Sequence, residues 1–262
     1  MSKIIIHGGF FSESSTNIET KIAKQQALLR IVKDSYAYLQ NHSALETVVY
    51  AVSQLEDDEL FNAGIGSQIQ SDGKIRMSAS LMDGESQKMS GVINIEEVKN
   101  PIQVAQVLMQ VDDRILGGSG ATNFARKHGF EPFSTEIPQR RAEYEAKLAS
   151  LGTGTVGCVA LDNNGKIAVA TSTGGKGFEI PGRISDSATV AGNYANEFCG
   201  VSLTGVGEDI VSNATAAKIV TRVTDGFSIE KAFEKTFAEL KPYDGFAGAI
   251  GIDKQGNIFH QD

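Results

Sequence analysis

The chain has 262 residues, 41% of them hydrophobic and 21% charged, an ordinary globular composition with length for one large domain or two small ones. Its net charge of −8 argues against non-specific binding to a nucleic-acid backbone and sets it against anionic membrane surfaces. No apolar stretch reaches bilayer length, and the first ten residues carry only a short isoleucine run instead of a secretory core, so the expected compartment is the cytoplasm, with Cys158 and Cys199 as buried thiols.

In chain order, Lys3 to His7 reads as a buried strand running into Gly8-Gly9. Asn17 to Gln40 has helical periodicity. A second helix starts after Ser43, with Glu46 completing a capping box. Ser67 to Gln70 and Lys74 to Ser80 flank Ser71-Asp72-Gly73, a hairpin signal. Helices are expected over Pro101 to Val111, Ala121 to His128 and Gln139 to Leu151. Thr155 to Leu161 and Ile167 to Thr171 are strands around the turn Asp162-Asn163-Asn164-Gly165. Val201 to Thr204 is a strand, followed by helices over Glu208 to Thr224 and Ser228 to Leu240. Gly248 to Ile252 and Asn257 to His260 form a last hairpin. Because helices do not alternate with single strands, the pattern excludes a doubly wound parallel sheet and favours antiparallel sheets covered by helices.

The first chemically informative segment is Gly152-Thr153-Gly154-Thr155-Val156-Gly157. Taken alone it also reads as a loop entering a strand. A threonine hydroxyl is a poor nucleophile, but a free α-amine on the same residue, with a pKa of roughly 8, can take its proton. That requires a cut between Gly154 and Thr155, where glycine leaves the scissile carbonyl open. Hairpin pairing brings Thr173 beside Thr155, although threonine also simply favours strand ends. Arg183 and Asp186 are opposite charges in a loop shaped by Pro181 and Gly182. They read either as a surface ion pair or as a clamp for an α-carboxylate and an α-ammonium. Thr204 and Gly205, with Gly207, join a strand to a helix and offer oxyanion donors or an ordinary helix entry. The histidines His7, His42, His128 and His260 lack metal-ligand spacing, and His7 reads as a core residue.

Seven stretches in this order are IIIHGG (4–9), FNAGIGS (61–67), ASLMDG (79–84), TVGCVALD (155–162), TSTGG (171–175), PGRISDS (181–187) and TGVGE (204–208). Together they resemble the plant-type L-asparaginase/isoaspartyl peptidase family of N-terminal-nucleophile hydrolases. The resemblance implies an α+β fold, a four-layer αββα sandwich with two antiparallel sheets flanked by helices. It implies autocleavage into an α chain, 1–154, and a β chain, 155–262, that remain one domain and pair as an (αβ)₂ homodimer. It implies Thr155 as nucleophile, Thr173 as its hydroxyl partner, Thr204 and Gly205 as the oxyanion hole, and Asn62 as support. Arg183, Asp186, Gly205 and Gly207 then bind a small molecule or dipeptide with free α-amino and α-carboxylate groups. No cofactor is implied for catalysis. A structural sodium ion is implied on the backbone carbonyls of Leu55, Glu56, Asp58, Phe61, Ala63 and Ile65. The reaction implied is hydrolysis of β-aspartyl dipeptides and L-asparagine. A glycosylasparaginase-like amidase and a non-catalytic relative of the same fold are the alternatives. Phe10-Phe11-Ser12 departs from the small residues that usually follow the first glycine pair, and the chain stops at Asp262 where family members usually continue with another strand.

Overall fold

The computed structural model describes residues 1–9, 18–146, 154–243 and 246–262. The amino-terminal part runs β1 (Lys3–His7), α1 (Ile18–Leu39), α2 (Ala44–Glu56), β2 (Met77–Asp83), β3 (Lys88–Ile95), α3 (Pro101–Leu108), β4 (Ile115–Gly117), α4 (Gly118–Lys127) and α5 (Pro138–Glu145). The remainder runs β5 (Val156–Leu161), β6 (Ile167–Thr173), β7 (Asn193–Ala195), β8 (Cys199–Gly205), α6 (Gly207–Asn213), α7 (Thr215–Thr224), α8 (Ile229–Ala238), β9 (Ala247–Asp253) and β10 (Ile258–Gln261).

Two sheets form, with strand orders β1-β5-β6-β2-β3-β4 and β10-β9-β8-β7. All pairings among the described residues are antiparallel except β3 with β4, a short parallel edge. Helices α1 to α4 cover the first sheet, α7 and α8 cover the second, and the two sheets face each other. Three apolar clusters fill the spaces between the four layers. This is the αββα sandwich that the resemblance implied. The first sheet interleaves strands from before and after residue 154, because β5 and β6 lie between β1 and β2.

Strand alternation explains which side chains reach the gap between the sheets. On β5, Val156, Cys158 and Ala160 join the cluster under α2, whereas Val159 and Leu161 pack against the second sheet. On β6, Ala168 and Ala170 face the helices, and Ile167 and Val169 face the gap. Continuing each alternation puts Thr155, Gly157, Thr171 and Thr173 in the gap and turns Ser172 towards α2.

Local signals account for three of the helix starts. Ser43 and Glu46 form the expected capping box on α2, Ser228 caps α8 by accepting from the Lys231 N–H, and Pro101 opens α3. Two expectations need correction. The strand after the Ser71-Asp72-Gly73 turn begins only at Met77 and pairs with β3, through a register shift between Met77 and Ala79, and with β6, not with Ser67 to Gln70. The turn itself closes through one local pairing, Gln70 N–H to the Lys74 carbonyl at 2.9 Å. The helix expected over Glu208 to Thr224 is two helices broken at Ala214, whose φ is +50°. The break lets Ala216 N–H and Ala217 N–H donate to the Ala191 and Val190 carbonyls, which satisfies the first turn of α7. The expected helix over Gln139 to Leu151 is seen as α5, and its end from Lys147 on, like Phe10-Phe11-Ser12, lies outside the described residues.

Candidate active site

Thr155 stands just before β5 and is buried. Its neighbour Val156 pairs with Ser172, so Thr155 comes opposite Thr173, the last residue of β6. The Thr155 hydroxyl donates to Thr173 Oγ1 at 3.2 Å. Thr173 Oγ1 also accepts the Gly175 N–H at 3.2 Å. The hairpin prediction therefore brings the two hydroxyls together.

Gly154 backs onto Asn62, since a Cβ on the glycine would stand 2.5 Å from Asn62 Cβ. Asn62 supports the strand end more than the hydroxyl itself. Its Nδ2 donates to the Gly175 carbonyl at 2.5 Å, its carbonyl accepts from Gly174 N–H at 2.8 Å, and its Oδ1 accepts from Gln68 N–H at 2.9 Å. Glu179 closes the same loop by accepting the Lys176 N–H at 3.2 Å.

Arg183 and Asp186 lie on the loop after Thr173, with Asp186 buried at the start of a short 3-10 turn, Asp186–Ala188. They are not joined as a simple pair. The Arg183 fork holds Glu208 at two points, Nε to Oε1 at 2.8 Å and Nη2 to Oε2 at 3.0 Å. This bond holds Glu208 down at about 2, with burial opposing. Asp186 Oδ2 is buried without a hydrogen-bond partner. Burial raises Asp186 to about 7, although the nearby Arg183 charge works the other way.

The loop after β8 closes over this pair. A Cβ on Gly207 would stand 2.8 Å from Asp186 Oδ1 and 3.0 Å from Arg183 Nη2, so a side chain there would crowd both groups. Gly205 has φ +148° and sits against the Phe246 carbonyl, 2.3 Å from where its Cβ would be. Thr204 shares the strand face of Ser202, and Ser202 lies over Gly157 in the gap. Thr204, Gly205 and Gly207 thus follow one another from the end of β8 into α6, with Gly207 against Asp186 and Arg183.

Two residues that the sequence reading gave no role belong here. Glu208 occupies the Arg183 fork, and Ser187 Oγ lies 3.4 Å from Thr155 Oγ1. Both sit inside recognised stretches, but their partners are distant in sequence. His7 is a core residue as expected. Its Nε2 bonds Ser202 Oγ at 2.9 Å, and burial lowers it to about 4, against the pull of the Thr155 backbone carbonyl.

The loop from Leu55 to Ile65 is rich in turned carbonyls. Those of Glu56 and Asp58 accept from the Ile65 and Phe61 N–H groups, and that of Leu55 accepts from both Asp57 and Asp58. Gly64 and Gly66 have positive φ, and a Cβ on Gly66 would stand 2.7 and 2.8 Å from the Glu59 and Phe61 carbonyl oxygens. The Glu59 and Phe61 carbonyl oxygens thus crowd Gly66, and backbone carbonyl oxygens are the kind of donor a hard cation takes. Among the described residues no group of three or more His, Cys, Asp or Glu side chains is arranged for a metal, and no helix is long and apolar enough to cross a membrane.

A family model described as Asparaginase matches residues 1–148 and 132–261. The chain belongs to this family. It is 46% identical over 276 residues to an isoaspartyl peptidase/L-asparaginase of Synechocystis, covering 98% of this chain and 83% of that protein. It is 36% identical to the isoaspartyl peptidase of Escherichia coli, covering 97% and 88% of the two chains. It is 35% identical to a plant-type L-asparaginase of Pyrococcus furiosus, covering 98% and 92%. Ser187, next to Asp186 in the chain, links the paired threonines to the Arg183–Asp186 loop, with its Oγ 3.4 Å from Thr155 Oγ1.

Proposed function

We propose that the protein cuts its own Gly154–Thr155 bond and then hydrolyses β-aspartyl dipeptides and L-asparagine, with Thr155 as N-terminal nucleophile. The observation that carries this reading is the buried Thr155–Thr173 hydroxyl pair, met by Ser187 from the same turn as Asp186, whose Oδ2 lacks a hydrogen-bond partner. Arg183 takes the substrate α-carboxylate and Asp186 its α-ammonium, which presents the side-chain carbonyl to Thr155. Thr155 Oγ1 bonds to that carbon, its proton passes to its own α-amine, and the carbonyl electron pair moves to oxygen beside Thr204 and Gly205. Collapse expels ammonia or an amino acid, which takes the proton from the amine. Water then hydrolyses the β-aspartyl ester.

In this reading the fragments 1–154 and 155–262 remain one domain. The interleaving of β5 and β6 between β1 and β2 supports this. An (αβ)₂ homodimer, a structural sodium ion in the 55–65 loop, and a reducing cytoplasmic setting complete it. The two buried free cysteines suit that setting. The test is direct. Wild-type protein should run as two bands on a denaturing gel, with a new terminus Thr-Val-Gly, and should release free aspartate from β-aspartyl dipeptides and from asparagine. Thr155→Ala should run as one band and release none. Two bands from that variant would overturn the assignment, and turnover of glycosylated asparagine instead would move it to the amidase alternative.

A further inference from the structure

We infer that Ser187 is a third hydroxyl of the catalytic centre, donating to the Thr155 nucleophile from the same turn that holds the substrate ammonium. This rests on the function proposed above. The argument is one of counting hydrogens. The Thr155 hydroxyl has a single hydrogen, and it points to Thr173 Oγ1 at 3.2 Å. Thr173 Oγ1 is at the same time held by the Gly175 N–H. On its other side, at 3.4 Å, Thr155 Oγ1 therefore acts as acceptor, and the donor is Ser187 Oγ–H.

Ser187 is fully buried, so water does not compete for that hydrogen. Its position is fixed from several sides. The Ser80 hydroxyl of β2 donates to the Ser187 carbonyl at 2.6 Å. Thr189 N–H and Oγ1 both reach the Asp186 carbonyl at 2.8 Å. Gly192 packs so closely that a Cβ there would stand 2.5 Å from Asp186 Oδ2. A buried serine could satisfy itself on any nearby carbonyl, yet this one is aimed at the attacking oxygen.

The consequence is a short mechanical link. Asp186 grips one end of the substrate, and the next residue along the chain touches the nucleophile. When Thr155 Oγ1 gives its proton to the α-amine and bonds the substrate carbon, Ser187 keeps its own proton and steadies the charge passing through that oxygen. The same contact orients the hydroxyl for attack on the Gly154 carbonyl during self-cleavage.

Ser187→Ala and Ser187→Cys should be prepared as full chains beside wild type. Three quantities are measured: the rate of Gly154–Thr155 cleavage, kcat and KM on a β-aspartyl dipeptide, and the thermal melt. The expected result is a loss of roughly 10- to 100-fold in cleavage rate and kcat for Ser187→Ala. KM should stay within about twofold, and Ser187→Cys, which keeps a weak donor, should recover part of kcat. Unchanged rates, or a change in KM alone, would overturn the inference. Should Ser187→Ala melt early, the kcat of Ser187→Cys decides: wild-type kcat counts against the donor role, and reduced kcat at wild-type stability supports it. If wild type cleaves itself but hydrolyses no β-aspartyl substrate, the substrate reading fails while Ser187 is still judged on cleavage rate. If wild type never cleaves, both fall.

Discussion

His7 and Ser202 meet across the space between the two sheets, Nε2 to Oγ at 2.9 Å, directly above Gly157. A Cβ on Gly157 would stand 2.0 Å from Ser202 Oγ and 2.4 Å from His7 Nε2. Ser202 passes the contact on to Thr171 Oγ1 at 2.8 Å, and Thr171 donates to Asn193 Oδ1 at 3.1 Å. The glycine two residues after the nucleophile therefore leaves room for a buried polar chain that fastens one sheet to the other.

Gly157→Ala should break that chain. The methyl group displaces either His7 or Ser202 and leaves buried polar atoms without partners. Overpacking and lost hydrogen bonds together should cost about 2–4 kcal/mol, read as a lower urea midpoint at unchanged slope. A midpoint equal to wild type would mean that the two sheets part easily here.

If Asp186 takes the substrate ammonium as proposed, it should set a pH dependence on substrate capture. Its carboxyl is raised to about 7 by burial, so it carries full charge only above that value. The α-amine of Thr155, at roughly 8 once exposed, must also lose a proton before attack. The logarithm of kcat/KM should therefore rise with pH through two ionisations. Asp186→Asn should keep only the one belonging to the amine, and kcat/KM should fall by roughly 30- to 1000-fold because the ammonium loses its charged partner. An Asp186→Asn profile with both ionisations would remove Asp186 from this role.

Much of this end of the molecule was readable before any coordinates. The Asp162 to Gly165 turn fixes which residues of β5 and β6 face each other, and strand alternation then puts Thr155 and Thr173 on one side. The capping box at Ser43 and the proline at Pro101 mark helix starts by local chemistry alone. β3 escaped because Ser90, Gly91 and Asn94 dilute its apolar pattern, and Asn94 bends it with φ +52°. Ser187 and Glu208 lacked roles for a different reason. Their partners are fixed by how a 3-10 turn and a helix entry fold over one another, and no periodicity encodes that direction.

Glu56 should make the fold lose stability as pH rises. It ends α2, fully buried, where Oε1 accepts from the Ser172 hydroxyl at 2.7 Å and from Ile102 N–H at 3.1 Å, and Oε2 has no partner. Burial raises it to about 8 from its ordinary 4.5, the hydrogen bonds only partly opposing. Between those pH values the folded chain holds a proton that the unfolded chain has released, so stability declines as pH rises towards 8. Glu56→Gln is neutral throughout and removes this decline. Relative to wild type its stability should improve from pH 5 to about 8 and level off above that, by on the order of 1–4 kcal/mol in all. A difference that stays flat across that range would mean the Glu56 proton is not retained on folding.

The Arg183–Glu208 bond makes the last prediction, because the fork that should take a substrate carboxylate already holds one. Substrate must displace Glu208, whose side chain is 54% exposed and can swing into water. Exposed ion pairs are worth about 0.2–1 kcal/mol, so Glu208→Gln should lower KM by roughly 1.5- to 5-fold with little change in kcat. Salt tests the same competition. Raising ionic strength weakens Arg183 for Glu208 and for substrate alike in wild type, but only for substrate in the variant, so the variant's KM should climb more steeply with salt. If instead KM rises on removing Glu208 at low salt, the glutamate orients the guanidinium for substrate and does not compete with it.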